Sequence, residues 1–189
     1  VLANIAGFHR MRHTASMTDA DWDADLAVNL NGPFYLSRAA LPHLLEKGGN
    51  IVNVSSIAGV EGEVYSAGYC AAKHGLIGLT RAMAVEFTKE RLRVNAICPG
   101  GMPTAQATEF EAPENADWDL IMRIASPRGF METVDVAKTI VFGVLILAAV
   151  APASLGHDLR WEPARGGALF PHLYRDLAMN EVAWTAALP

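Results

Sequence analysis

Hydrophobic and polar positions follow two rhythms along the chain. Short apolar or β-branched runs at residues 1–6, 51–54 and 92–98 predict strands, the last of them stopped by Pro99-Gly100. Longer stretches, with apolar residues at three- and four-residue steps or multiples of these, predict helices. Over residues 19–46 the apolar positions are Leu26, Leu30, Phe34, Leu41 and Leu44. Thr18 supplies an N-cap, Asp21 an acid at the third helical position, and Gly48-Gly49 ends the segment. A Gly-rich loop, residues 59–68, leads into an Ala-rich helix over residues 69–88. Strand, helix, strand, helix, strand is the signature of an α/β fold with a parallel sheet. Right-handed crossovers then place the carboxyl ends of the strands on one ligand-binding edge. Residues 100–130 break the pattern with Pro103, Pro113, Pro127 and two weak helical patches. A connection this long is expected to be a lid or binding insert. A last helix is predicted over residues 134–147.

Composition narrows the classes. With 51% hydrophobic and 19% charged residues, the 189 positions read as a single domain with a large core. The formal net charge of −5 argues against a nucleic-acid backbone as ligand. Cys70 and Cys98 form neither a disulfide framework nor a metal-ligand spacing, so no metal site is expected and a reducing cytoplasm fits. The longest apolar stretch, residues 140–151, is shorter than the roughly 20 residues a bilayer crossing needs. No export signal is read at the start. The chain opens with Val1 already inside a strand-like run, so a fragment of a longer domain is expected.

The residues that carry chemistry lie around the second and third strands. Tyr69 and Lys73 stand one helical turn apart, on one face near the start of their helix. A phenol with an ordinary pKa near 10 stays protonated at neutral pH, and a neighbouring ammonium favours its ionised form. The pair is therefore suited to exchanging a proton with a substrate oxygen. Ser56, just past the strand that ends near residue 55, supplies a hydroxyl for an oxygen on which charge develops. Ser55 is its competitor for that role. Asn29 places a polar amide on the apolar face of the preceding helix. Tyr65 reads as a wall of the substrate pocket and His74 as a packing residue on another helix face. His9, Arg10, Arg12 and His13 read as a solvated basic run.

With Pro99-Gly100-Gly101-Met102-Pro103-Thr104 after the third strand, the chain resembles the short-chain dehydrogenase/reductase family over residues 1 to about 142. Asn4-Ile5-Ala6-Gly7 is similar to that family's Asn-Asn-Ala-Gly segment, with Ile5 departing from it. Asn29 resembles the helix-embedded Asn, Ser56 the active-site Ser, and Tyr69 with Lys73 the Tyr-x-x-x-Lys pair. Pro99-Gly100 and Thr104 resemble the turn beside the nicotinamide, although Thr104 also has the position of a helix cap.

The resemblance implies a Rossmann-like, doubly wound parallel sheet, N-terminally truncated. It implies an oxidoreductase that uses NAD or NADP to interconvert a secondary alcohol and a ketone, with Tyr69 as general acid/base. Asn29, Ser56 and Lys73 would complete the catalytic set. Asn4, Ala6, Gly7, Tyr69, Lys73, Pro99, Gly100, Met102 and Thr104 would face the cofactor. Lys73 would reach the ribose hydroxyls, and Asn29 would hold a water linked to Lys73. A homodimer or homotetramer built on the two long helices is implied as well.

Two departures qualify the expectation. No G-x-x-x-G-x-G turn for a pyrophosphate occurs in the sequence, so this chain by itself is expected to bind cofactor weakly and turn over little. Residues 143–189 read as a divergent tail or a shifted reading frame, in which residues 156–160 resemble the start of a last strand. The alternative is a noncatalytic remnant that keeps the fold, against which the complete Asn29, Ser56, Tyr69 and Lys73 set argues. A cofactor-independent lyase would carry Arg in place of Lys73. Met102, Phe110, Trp118 and Ile121 in the insert predict an apolar or partly apolar small-molecule substrate.

Overall fold

The structure, a computed structural model, describes residues 1–124, 129–150 and 182–186. Its sheet is built on three parallel strands, β1 (Leu2–Asn4), β2 (Gly49–Val54) and β3 (Leu92–Pro99). They pair in that order, with Leu2 opposite Ile51 and Ile51 opposite Val94. A fourth strand, β4 (Val182–Ala186), runs antiparallel to β3. The expected last strand at residues 156–160 lies outside the described residues.

The helices are α1 (Asp19–Leu26), α2 (Gly32–Lys47), α3 (Ala67–Glu86), the short α4 (Ala105–Thr108) and α5 (Trp118–Ile124), and α6 (Thr133–Val150). They cover both faces of the parallel strands. Side chains alternate faces along a strand, so Ile51 and Val94 point one way and Val54 and Ile97 the other. The first pair packs with Leu44, Met83 and Leu92, beneath α2 and α3. The second packs with Val136 of α6, flanked by Met102, Met131 and Ile140. Burial on both faces explains why β2 and β3 read as almost continuous apolar runs. Among the described residues, no helix is long and apolar enough to cross a membrane.

The predicted helix over residues 19–46 is in fact two helices. A π-helical turn, Ala27–Asn31, separates α1 from α2, and the Gly32 amide donates to the carbonyl of Ala27, five residues back. The wider turn shifts the phase of the apolar face, which a constant 3.6-residue period cannot follow. Phe34 consequently lies 39% exposed with the Arg38 guanidinium over its ring, and the buried positions of α2 are Pro33, Ser37 and Leu44. The start of α1 follows its local signals: Thr18 Oγ1 accepts from the Asp21 amide, and the Asp21 carboxylate accepts from the Thr18 amide. Gly48, with φ of +78°, ends α2.

A buried polar seam ties these layers together. Asn53 Nδ2 donates to Thr80 Oγ1 at 2.8 Å, and Thr80 donates on to the Leu76 carbonyl. Asn53 Oδ1 accepts from Asn4 Nδ2 at 2.8 Å, which also reaches Ser37 Oγ at 3.2 Å. The ends of β1 and β2 are thereby fixed against α2 and α3.

Candidate active site

Asn4 ends β1, Ser55 and Ser56 follow β2, and Pro99 ends β3, so all three carboxyl ends open on one edge. Helix α3 starts beside that edge and carries Tyr69 and Lys73 on its buried side. The Ser56 hydroxyl caps the 3-10 turn Ile57–Gly59, accepting from the Ala58 amide, and lies near enough to the Tyr69 phenol to favour its ionised form. Ser55 faces the interior, where its hydroxyl donates to the Lys73 carbonyl at 3.0 Å. The ammonium of Lys73 donates to the Val54 carbonyl at 2.9 Å and sits 5.5 Å from the centroid of the Tyr69 ring.

Asn29, fully buried in the π turn, holds the loop after β1. Its Nδ2 donates to the carbonyls of Phe8 (3.0 Å) and Asp25 (3.1 Å), and its Oδ1 accepts from the Phe8 amide. Gly7 passes between Asn29 and Lys73: a Cβ there would stand 2.8 Å from Asn29 Oδ1 and 3.4 Å from Lys73 Nζ. Only glycine fits so close an approach. Asn4, expected at the cofactor, has its amide nitrogen engaged in the buried seam; its Oδ1 is buried without a partner among the described residues. Met102 packs partly buried against Val54, Ile97 and Val136. Thr104 caps α4 with its backbone carbonyl, and its side chain takes no part in the cap.

The electrostatics correct one expectation. Burial pushes the Tyr69 phenol up to about 12, more than the Ser56 and Gln106 side chains pull it down. Burial likewise pushes Lys73 down to about 8. The lysine thus does not bring the phenol toward neutral pH in the unliganded chain. For each group removal from water is the largest effect, and the ammonium, 5.5 Å from the ring centroid, bonds to the Val54 carbonyl rather than to the phenol oxygen.

A second correction concerns the basic run, whose side chains are half-buried at His9, Arg12 and His13 and engage specific partners, with only Arg10 exposed. The His9 ring stacks on the Tyr69 ring at 4.4 Å between centroids, and Nε2 lies 2.7 Å from Ser66 Oγ. Arg12 pairs with Asp21 at 2.8 Å, and Arg10 lies over the Phe8 ring. His13 bonds to the Glu114 carbonyl and packs edge-on against Tyr65. Tyr65, in turn, accepts from the Asp117 amide at 2.8 Å, so the insert is tied to the loop before α3. His74 is exposed and bonds to the Cys70 carbonyl, rather than packing.

Asp25 went unnoticed in the sequence, where it reads as one more acid of an acidic helix start. It is 1% exposed, touches Gly68 at the start of α3, and neither of its oxygens has a partner among the described residues. Burial raises its pKa, with Arg12 opposing. The folded state therefore holds this proton more tightly than the unfolded chain, and stability falls as pH rises above the ordinary carboxylate range near 3.9. Asp25→Asn is expected to remove that dependence and to raise stability at pH 7 by about 1 kcal/mol. In a thermal melt this appears as a gain of roughly 2–4 °C. An unchanged or lower midpoint would show that the carboxylate is compensated.

A Rossmann-type α/β sheet with a phenol, an ammonium and a hydroxyl gathered at its carboxyl edge defines the class. The family model described as short chain dehydrogenase matches residues 1–115, and the chain belongs to that family. It is 38% identical over 156 residues to the short-chain dehydrogenase/reductase olcF of Penicillium canescens, covering 75% of this chain and 59% of that protein. To the 3-oxoacyl-(acyl-carrier-protein) reductase FabG of Thermotoga maritima it is 37% identical over 143 residues, covering 75% and 57%. A solved structure of 4-hydroxyisoleucine dehydrogenase complexed with NADH and succinate matches with a TM-score of 0.66 and 32% identity, over 78% of this chain and 60% of that one. The chain thus spans less than two thirds of the length of these relatives. A second family model, described as protein of unknown function (DUF952), matches residues 132–185, which include most of the stretch where the dehydrogenase resemblance stops.

Proposed function

We propose that the chain carries the proton-transfer site of an oxidoreductase that uses NAD or NADP to interconvert a secondary alcohol and a ketone. The observation that carries this reading is the Tyr69 phenol, flanked by Ser56 and backed by Lys73, at the carboxyl edge of the sheet. The residues present fit a nicotinamide nucleotide: Gly7 brings bare backbone against the buried Lys73 cation, and the Thr104 hydroxyl is not spent on its helix. Bound there, the nicotinamide supplies or accepts the hydride.

The protein's part is the proton. A phenol held near 12 is a proton donor at neutral pH, so the resting site is poised for reduction. Ser56 donates to the ketone oxygen as negative charge develops on it, and Tyr69 then delivers its proton to that oxygen. Lys73, as a cation, balances the phenolate left behind. Asn29 acts through position, fixing the loop that carries Gly7 against Lys73. The insert after β3, with α4 and α5, would serve as the lid of the site, and β4, from the divergent tail, pairs with the end of β3. Trp22, Val28, Phe34, Tyr35 and Leu36, all exposed on the α1–α2 side, form the surface on which a homo-oligomer would close.

The test is ketone reduction by this chain at millimolar NADH or NADPH. No turnover at any cofactor level would favour the noncatalytic alternative. The pH profile supplies a second check. Lys73 is a cation only below about 8, so the reduction rate is expected to fall above that pH, with a log–log slope approaching about −1. Lys73→Met is expected to lower the rate throughout and to abolish the break. A break that survives the substitution belongs to another group.

A further inference from the structure

The loop after β1 places an imidazole directly on the reacting phenol, and no motif accounts for it. We propose that His9 is a specificity-determining residue whose Nδ1 accepts a hydrogen bond from a substrate hydroxyl close to the reacting carbonyl. The inference rests on the proposed oxidoreductase function.

The hydrogen bonds assign the tautomer. Ser66, buried to 1% exposure, donates its only hydroxyl proton to the Val64 carbonyl at 2.9 Å. Its oxygen can then only accept from His9, so the imidazole carries its hydrogen on Nε2. Burial pushes the His9 pKa down to about 4, which keeps the ring neutral at working pH. Nδ1 is therefore a lone-pair acceptor, and it has no partner among the described residues. The ring's position is fixed twice, by the Ser66 bond and by the stack on Tyr69 at 4.4 Å. An acceptor on a ring held against the Tyr69 ring would favour a substrate with a donor next to its carbonyl, and discriminate against one that leaves the acceptor unpaired. The substrate class is thus an α-hydroxy ketone, or the vicinal diol formed by its reduction.

Hydroxyacetone and acetone, which differ by one hydroxyl, are the probes. Long-range proton–nitrogen correlation spectra of the 189-residue chain read the imidazole without any need for turnover. At about pH 7, His9 is expected as the Nε2–H tautomer, with Nδ1 shifting on addition of hydroxyacetone and not of acetone. An Nδ1–H tautomer, or equal responses to the two ketones, overturns the proposal. In kinetics, His9→Phe keeps an aromatic ring on Tyr69 and removes both nitrogens. It is expected to lower kcat/KM for hydroxyacetone roughly fivefold or more relative to acetone, chiefly through KM, with His9→Gln partly restoring the preference. Equal losses for both ketones would mean that His9 only packs. If the Nδ1 shift is present while neither ketone is reduced, the oxidoreductase reading fails and the hydroxyl site stands.

Discussion

Tyr69→Phe is expected to lower ketone reduction by about 10²–10⁴-fold, the range that a single positioned proton donor supplies. The loss is expected in kcat and kcat/KM alike, because the phenolic proton matters only as charge develops on the substrate oxygen. Fold and cofactor binding are expected to survive. The Tyr69 ring is buried and stacked on His9, and phenylalanine keeps that surface while removing only an oxygen that faces Ser56 and Gln106. Initial rates beside a thermal melt and a nucleotide titration check all three statements. Turnover equal to the parent would refute the role of the phenol, and turnover lost together with the melt would show a packing defect instead.

The second large effect is expected at Gly59, on the turn that presents Ser56. A Cβ built there meets Ser55 Oγ at 2.5 Å, the Lys73 carbonyl at 2.9 Å and Ile77 Cδ1 at 3.0 Å. Two of these atoms belong to α3 and the third to the hydroxyl that links the loop to it. One is a hydrogen-bonded hydroxyl, one a backbone carbonyl, and the third the tip of a buried side chain. Gly59→Ala is therefore expected to push the turn off α3 and to break the Ser55–Lys73 bond. Overpacking of this kind costs about 1–3 kcal/mol, read in a melt as a fall of roughly 2–4 °C per kcal/mol. Activity is expected to fall further than stability, since Ser56 moves away from Tyr69. Gly62 and Gly78 provide the controls, because a Cβ at either meets nothing within 4 Å. Gly78→Ala, inside α3, is expected to stabilise by about 0.5–1 kcal/mol. A tolerated alanine at 59 would mean that the turn is not wedged against the helix.

Much of the fold lay open in local patterns. The capping box of α1 spans four residues, the glycine end of α2 depends on one backbone angle, and the β-branched runs of β2 and β3 need only their own composition. The π turn did not show itself, since Asn29 is held there by the backbone of Phe8, 21 residues away. Nor did Phe34, whose exposure follows from that turn. His9 looked like any basic loop residue because its partners are Ser66, 57 positions on, and the Tyr69 ring. The two tyrosines of the loop and helix were separable by spacing, yet the bond that Tyr65 makes to Asp117 was not.

By itself the sequence determined the α/β order of elements, their caps and stops, and the candidate chemistry of Asn29, Ser56, Tyr69 and Lys73. These depend on residue type and on spacings within a turn, a strand or a recognisable motif. Only the tertiary structure decided the ionisation of that chemistry, the burial of Asp25 and the place of His9. Each of these follows from how much water the surrounding elements exclude, and water is excluded by residues that are neighbours in space long before they are neighbours in the chain.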